Sequence, residues 1–158
     1  LNINDEAIGW LEIFENLIIT RTFSKAYGLA GLRVGYSLCN IKISDYINRV
    51  REPFNVNNTA QVAAIAALSD IDFLQESVNI NNDGSKQLVD GFKLLDLKYI
   101  PSFANFIAVK FNDALQTYNN LLREGVIVRP VEMSNYLRIS IGTAKENEHL
   151  LSALKKIL

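Results

Sequence analysis

Hydrophobic positions follow two different patterns along the chain, and the change near residue 98 predicts two α/β parts. An early apolar, β-branched run lacks clean alternation, which is typical of a strand covered on both faces. Later strands alternate, and later helices carry one apolar stripe. The predicted elements are strands at 17–22, 33–38, 106–111, 126–129 and 137–141, helices at 45–51 and 58–68, a long helical segment from residue 71 with a weak polar middle, and helices after residues 113 and 143. We therefore expect one domain at residues 1–70 and a smaller one at 71–158, which includes a long connecting helix.

Side chains that accept hydrogen bonds from backbone N–H groups predict where most of these helices begin. Asp70 is expected to cap the long segment, and three pairs have the spacing of a capping box. The predicted caps are Ser44, Asn58 with Gln61, Asp70, Asp113 with Gln116, and Thr143 with Glu146. Gly125 is expected to end the helix that Asp113 begins. The stripe that follows Thr143 indicates core packing and contains Leu150, Leu151, Leu154, Ile157 and Leu158.

Composition and charge exclude several classes of function. Sixteen basic and seventeen acidic residues leave a net charge of −1 without a basic block, so neither nucleic acid nor an anionic membrane is an expected partner. Cys39 is the single cysteine, which excludes an internal disulfide and a cysteine-based zinc site and fits a reducing cytoplasm. No apolar run approaches the roughly 20 residues that span a bilayer. We expect a cytoplasmic protein without a metal site, and the start at Leu1 suggests a piece of a longer protein.

Lys25 is the best candidate for covalent chemistry. It follows the predicted strand at 17–22, and ligands of open α/β sheets bind beyond the carboxyl ends of strands. A lysine with the ordinary pKa of about 10.4 is protonated at neutral pH; lowering that pKa by about three units requires about 4 kcal/mol, from desolvation or nearby positive charge. Arg21 and Arg33 are the positive charges nearest in sequence. A lone Ser-Lys pair is usually a solvated surface group, and only its neighbours favour the covalent interpretation.

Hydroxyls and an arginine surround this lysine in a pattern that suits a phosphate. Thr22 and Ser24 flank Lys25, while Gly28 and Gly31 allow the backbone to turn so that Arg33 doubles back. A Schiff base between the lysine and pyridoxal phosphate fits this arrangement, because an arginine and hydroxyls then hold the cofactor phosphate. The two glycines do not form a dinucleotide fingerprint, since the first glycine pair is absent.

Residues 24–36, Ser-Lys-Ala-Tyr-Gly-Leu-Ala-Gly-Leu-Arg-Val-Gly-Tyr, resemble the cofactor-lysine segment of fold-type I pyridoxal-phosphate aminotransferases, classes I and II. Within that group they are most similar to the histidinol-phosphate aminotransferases. Further segments agree in the family's order, at 53–57, 101–106, 126–130 and 137–143. The resemblance implies an α/β fold that comprises the end of the large cofactor-binding domain and a small C-terminal α/β domain.

The resemblance also implies roles for individual residues. Lys25 is the Schiff-base lysine, and Arg33 binds the cofactor phosphate with help from Ser24 and Thr22. Arg138 clamps the anionic group of the substrate, with Arg129 as a second contact and Asn105 near the substrate. Alternation independently turns Arg138 away from the core-facing neighbours in its strand. For Asn105, a bond to the backbone at a loop-to-strand junction is the alternative, and for Arg138 it is simple solvation.

The implied activity is transfer of an amino group between L-histidinol phosphate and 2-oxoglutarate or glutamate, in histidine biosynthesis, by a homodimer. The family's pyridine-ring aspartate, asparagine and tyrosine precede this chain in family order, and Asp5 lies too close to Lys25 to replace that aspartate. We therefore expect an incomplete fragment that is inactive alone. The alternatives are an aromatic aminotransferase, a threonine-phosphate decarboxylase, and a non-catalytic fragment that binds no cofactor.

Overall fold

The computed structural model describes residues 6–158, which form two compact units. The N-terminal unit extends to Ser77, and the C-terminal unit comprises Val78–Leu158. The boundary lies inside a long helix, seven residues after the predicted division at residue 70. The correspondence of these units to the two predicted domains stays a prediction. Asp5 lies outside the described residues.

The N-terminal unit combines an antiparallel ribbon with helices. Its elements are α1 (Glu6–Gly9), a 3-10 turn (Trp10–Glu12), β1 (Ile18–Thr22), a second 3-10 turn (Ala30–Leu32), β2 (Gly35–Cys39), α2 (Ile41–Val50), α3 (Asn58–Ser69) and the start of α4 (Ile71–Leu94). Both predicted strands are confirmed, and they pair from Ile18 opposite Cys39 to Thr22 opposite Gly35. Coverage of β1 on both faces was a wrong prediction for the described chain. Only Ile19 is buried within β1, because a two-stranded ribbon leaves both faces largely open.

Two helix starts differ from the prediction. The side chain of Asn40 accepts the Lys42 N–H at 2.9 Å, so α2 begins four residues before the predicted start and contains Ser44. The cap of α3 is Asn57, whose side chain accepts the Ala60 N–H at 2.8 Å. In both cases an asparagine upstream of the predicted cap satisfies the free N–H groups first. The Asp70 cap is confirmed by its bond from the Phe73 N–H at 3.0 Å.

The C-terminal unit contains a four-stranded antiparallel sheet and three helices. Besides the rest of α4, its elements are β3 (Tyr99–Ile100), β4 (Phe106–Lys110), α5 (Ala114–Arg123), β5 (Arg129–Pro130), β6 (Tyr136–Ser140) and α6 (Ala144–Ile157). The strand order is β3-β4-β6-β5. Of the predicted strand at 126–129, only Arg129 lies in β5, although Val126 and Val128 are buried. The caps at Asp113 and Thr143 are confirmed, as is the end of α5 before Gly125, which has φ 75°.

One face of this sheet packs into the core. Ile107 lies opposite Ile139 and Val109 opposite Leu137, and all four are buried. The helices complete the cluster with Leu88, Phe92, Leu121, Leu150, Ala153 and Leu154. This packing keeps α4 continuous through its polar middle, since burial outweighs weak helix propensity. Leu158 is 62% exposed and does not belong to the stripe that was predicted to pack.

A buried asparagine fixes the chain just after β6. Asn147 is 1% exposed; its side chain accepts the Gly142 N–H at 3.0 Å and donates to the Gly142 carbonyl and to Gln87 Oε1, both at 3.1 Å. These bonds satisfy a polar group that would otherwise be costly to bury. They tie the segment between β6 and α6 to α4.

The described residues contain neither a membrane-spanning helix nor a cluster of metal-binding side chains. Within residues 6–158, no helix is long and apolar enough to cross a bilayer. The same part of the chain contains no group of three or more His, Cys, Asp or Glu side chains arranged to hold a metal ion. Cys39 is a free, half-buried thiol.

Candidate active-site residues in the two units

The loop that carries Lys25 extends the pairing of β1 with β2. Beyond the last strand pair, the Phe23 N–H donates to the Val34 carbonyl at 3.2 Å, so Ser24 and Arg33 are the next residues on the two sides. The Phe23 carbonyl then accepts the Leu29 N–H at 2.9 Å, which closes the loop. Lys25 therefore lies at the open end of the ribbon.

Packing between aromatic side chains stabilises the loop. Phe23 is 3% exposed, and its ring lies 4.9 Å from that of Tyr27 and 5.8 Å from that of Tyr36. Both tyrosines therefore pack against Phe23, although Tyr36 remains 42% exposed. Gly28 has φ 71° and donates its N–H to the Lys25 carbonyl at 2.9 Å, which makes the tight turn directly after the lysine.

The predicted cofactor-binding residues are brought together in this loop. Thr22 Oγ1 accepts the Ser24 N–H at 3.1 Å, and Arg33 Nη1 donates to the Ala30 carbonyl at 2.8 Å. Arg33 has φ 54°, a left-handed conformation that is uncommon for arginine. Lys25, Thr22 and Arg33 are exposed, and Ser24 is half-buried. The described residues thus supply the hydrogen-bond donors for a phosphate, but they leave the Lys25 amine exposed to solvent.

Gly35 keeps the two sides of the loop in register, a role that the sequence analysis did not identify. A Cβ atom at this position would lie 2.6 Å from the Arg21 carbonyl oxygen, closer than real Cβ contacts allow. Gly35 is the partner of Thr22, at the last rung before the loop. A glycine inside a strand pattern, two residues after Arg33, was the available signal for such a close backbone approach.

The predicted substrate-binding arginines form a pair in the C-terminal unit. Arg129 on β5 and Arg138 on β6 are directly opposite each other, and Ala108 on β4 is the next residue in the same row. Because side chains alternate along a strand, this row lies on the face opposite the buried Leu137 and Ile139. Arg129 is exposed and Arg138 is half-buried.

Arg138 stacks on an aromatic ring. Its guanidinium carbon lies 4.7 Å from the centroid of Phe106, a distance typical of a cation–π contact. The Arg138 Nε atom is buried and has no hydrogen-bond partner among the described residues. The sequence analysis missed Phe106, although strand alternation put it on the same face of the sheet as Arg138. Its contact depends on the pairing of β4 with β6, which no local pattern reveals.

Asn105 has a structural bond of its own. Its backbone carbonyl accepts the Ile141 N–H at 2.9 Å, which extends the pairing of β4 with β6 beyond Phe106 and Ser140. The residue is exposed. A backbone role for Asn105 is therefore observed, and contact of its side chain with a substrate stays a prediction.

Comparison with known proteins gives concordant results. The model of the family "Aminotransferase class I and II" matches residues 4–154. The chain is 50% identical over 159 residues to the histidinol-phosphate aminotransferase of Methylobacillus flagellatus, covering 99% of this chain and 43% of that protein. It is 53% identical over 157 residues to histidinol-phosphate aminotransferase 2 of Pseudomonas aeruginosa, covering 97% and 42%. The chain thus spans less than half the length of these relatives.

Solved structures agree with these sequence relatives. The histidinol-phosphate aminotransferase of Clostridium acetobutylicum has a TM-score of 0.87 at 25% identity, covering 95% of this chain and 48% of that one. The Sinorhizobium meliloti histidinol-phosphate aminotransferase, solved in complex with pyridoxal-5'-phosphate, has a TM-score of 0.78 at 31% identity, covering 90% and 41%. The predicted fold class is confirmed by these similarities. The chain therefore belongs to the aminotransferase class I and II family.

Proposed function

We propose that this chain supplies the cofactor lysine and the substrate-binding arginines of a pyridoxal-phosphate-dependent histidinol-phosphate aminotransferase. The complete protein would transfer the amino group of L-histidinol phosphate to 2-oxoglutarate, with glutamate as the other product, in histidine biosynthesis. It would act in the cytoplasm as a homodimer. The part of the protein in this chain would be inactive alone, since it corresponds to less than half of its relatives.

The observation that carries the proposal is the closed loop around Lys25. The bond from the Phe23 N–H to the Val34 carbonyl sets Ser24 and Arg33 across from each other, next to a lysine at the end of the ribbon. A primary amine, a guanidinium and hydroxyls match an aldehyde that carries a phosphate group. These residue types therefore fit pyridoxal phosphate.

Each residue of the loop has a defined task in this proposal. Pyridoxal phosphate, when bound, supplies the electron sink that makes the substrate's amine-bearing carbon acidic. Arg33 and the hydroxyls of Ser24 and Thr22 hold the phosphate and so fix the aldehyde carbon relative to Lys25. The Lys25 amine, once free, would take the proton from the substrate carbon and deliver it to the cofactor's former aldehyde carbon, as a general base and then a general acid.

The pair of Arg129 and Arg138 favours a substrate group that carries two negative charges. Like charges directly opposite each other on neighbouring strands are unfavourable, and an anion that contacts both offsets this repulsion. A phosphate monoester carries about −1.5 to −2 charges at neutral pH and accepts several hydrogen bonds. Arg138 and Arg129 would bind the phosphate of L-histidinol phosphate, and a carboxylate of 2-oxoglutarate in the second half of the reaction. Asn105 is proposed to lie near the same substrate.

Trapping the cofactor tests the role of Lys25. The complete protein that carries this sequence, incubated with pyridoxal phosphate and reduced with borohydride, should give one stoichiometric adduct, at Lys25 by peptide mass spectrometry. Lys25→Ala should lose this adduct and the transamination activity. Lys42→Ala is the matched control, because Lys42 is an exposed lysine of the same unit. A stoichiometric adduct that persists in Lys25→Ala would refute the assignment.

Substrate profiling separates the proposed reaction from the alternatives. Transfer of the amino group from L-histidinol phosphate without release of carbon dioxide supports it. Carbon dioxide release from a phosphorylated amino acid would identify a decarboxylase instead, and a preference for phenylalanine or tyrosine would identify an aromatic aminotransferase. For the isolated chain, a stable one-to-one absorption band with pyridoxal phosphate would contradict the view that it cannot bind the cofactor alone.

A further inference from the structure

We propose that Phe106 is a positioning residue that holds the guanidinium of Arg138 flat and ready for an anion. The inference deepens the proposed function and rests on it in one respect, namely that Arg138 binds the anionic group of the substrate. Phe106 itself contacts the arginine and is not assigned any contact with the substrate.

The first observation is the stacking geometry. The guanidinium carbon of Arg138 lies 4.7 Å from the ring centroid of Phe106, well inside the distance of about 6 Å at which a ring face attracts a cation. The two residues are diagonal neighbours in the sheet, since Phe106 is opposite Ser140 and Arg138 is opposite Ala108. A small alanine beside the large ring leaves room for the arginine to lie over it.

The second observation is the buried nitrogen. Arg138 Nε is shielded from solvent and finds no acceptor in the part of the chain that the structure describes. A buried donor without a partner is unfavourable, so the arginine needs a compensating contact to remain in this conformation. The ring of Phe106 supplies one, because the electron-rich face attracts the whole guanidinium rather than a single N–H group.

The third observation is the neighbouring charge. Arg129 is directly opposite Arg138 and repels it, which favours conformations that swing one side chain away. An arginine side chain also loses rotamer freedom when an anion binds. A ring that already fixes the plane of Arg138 reduces this loss and leaves a fixed fork of N–H donors for a phosphate or carboxylate.

A direct readout is the resonance of the Arg138 Nε–Hε group in this chain. A proton held over the face of an aromatic ring is shifted upfield, and a buried one exchanges slowly with water. Phe106→Leu should move this resonance downfield and speed its exchange, while Phe106→Tyr should leave both nearly unchanged. Phe103→Leu is the matched control, because Phe103 is a fully exposed phenylalanine in the segment before β4.

Titration with inorganic phosphate at constant ionic strength then measures anion binding at the same resonance. Phe106→Leu should weaken the apparent affinity about 3- to 10-fold, and Phe106→Tyr and Phe103→Leu by less than about twofold. Amide exchange at Leu137 and Ile139 reports whether each variant keeps its core. In the complete protein, Phe106→Leu should raise KM for the phosphorylated substrate by a similar factor and change kcat by less than about twofold.

Three results would overturn the proposal: no saturable effect of phosphate on the Arg138 resonance, unchanged affinity in Phe106→Leu, or equal losses in Phe106→Leu and Phe106→Tyr. Equal losses would mean that the shape of the Phe106 side chain matters and that its aromatic face does not. Failure of the proposed function would be observed separately, as the absence of a borohydride-trapped pyridoxal phosphate adduct at Lys25 in the N-terminal unit. Phosphate binding that depends on Phe106 would stand even then.

Discussion

Arg129 and Arg138 lie directly opposite each other on β5 and β6, so their two positively charged side chains project from the same face of the sheet. Like charges in this position destabilise a sheet by up to about 1 kcal/mol. The contact of Arg138 with the ring of Phe106 offsets part of this repulsion, but the Arg138 Nε atom has no hydrogen-bond partner among the described residues. These two observations support the anion site proposed above.

Removal of one of these charges should stabilise the unliganded sheet. We expect Arg129→Gln to raise the free energy of unfolding of the C-terminal unit by a few tenths of a kcal/mol at low salt, because the cross-strand repulsion disappears. Amide exchange at Leu137 and Ile139 measures this, and inorganic phosphate should reverse the order of stability. Arg123→Gln is the control, since that charge lies in the last turn of α5, where a cation is favourable. A loss of stability in Arg129→Gln at low salt would contradict the prediction.

Gly35→Ala should disrupt the ribbon that carries Lys25. The added methyl group would lie 2.6 Å from the Arg21 carbonyl, so β1 and β2 must move apart, at a cost of about 1 to 3 kcal/mol. Trp10 is the only tryptophan and belongs to the N-terminal unit, so its fluorescence follows unfolding of that unit. In Gly31→Ala the new methyl group meets no atom within 4 Å, and the change should be less than about 0.5 kcal/mol. Equal stability of the two variants would argue against the close approach at Gly35.

Gly84→Ala should destabilise the C-terminal unit even though alanine is the better helix former. Its methyl group would lie 2.7 to 2.9 Å from Ile141, Asn147 and the Gly142 carbonyl, and the last of these is backbone that cannot rotate away. We expect a net loss of about 1 to 2 kcal/mol after the gain of about 1 kcal/mol in helix propensity. Urea unfolding followed by circular dichroism measures this loss.

Gly91→Ala is an informative comparison for Gly84→Ala. The methyl group at Gly91 would also meet close neighbours, at 2.4 to 3.0 Å, but all of them belong to the flexible side chain of Leu151. Rotation of Leu151 can relieve the overlap, so we expect a smaller loss than at Gly84. A larger loss at Gly91 would show that Leu151 has no alternative conformation in the core.

The sequence predicts those features that depend on neighbours along the chain. Asp113 and Thr143 begin helices because their side chains bond N–H groups three residues ahead, and Lys25 follows a strand that can be read from its apolar residues. The same logic explains the error at α2. Asn40 and Ser44 are both good caps, and nothing local decides between them until the packing of the following turn is known.

Features of the site that depend on strand pairing were not predictable. Alternation puts Arg138 on the outer face of β6, but it does not reveal which residues lie beside it. The contact with Phe106 and the pairing with Arg129 follow from the register of β6 with β4 and β5, and these two residues precede Arg138 by 32 and nine positions, respectively. A shift of one residue in the pairing of β6 with β4 would remove the contact with Phe106, and a shift in the pairing of β6 with β5 would separate the two arginines.

The capping box of α6 should make stability depend on pH. The Glu146 carboxylate accepts the Thr143 N–H at 2.7 Å and its hydroxyl at 2.8 Å, and these bonds, the backbone one first, lower the pKa of Glu146 below its ordinary value of 4.5. Because the folded-state pKa is the lower one, the stabilisation is fully present above pH 4.5 and is lost as the pH falls through the folded-state pKa. Glu146→Gln should therefore be less stable than the parent chain at neutral pH, and the difference should shrink in acid. Urea unfolding across this pH range tests it, with Glu148→Gln, an exposed neighbour outside the capping box, as the control. A difference between Glu146→Gln and the parent that stays constant down to low pH would mean that the carboxylate charge contributes nothing to the cap.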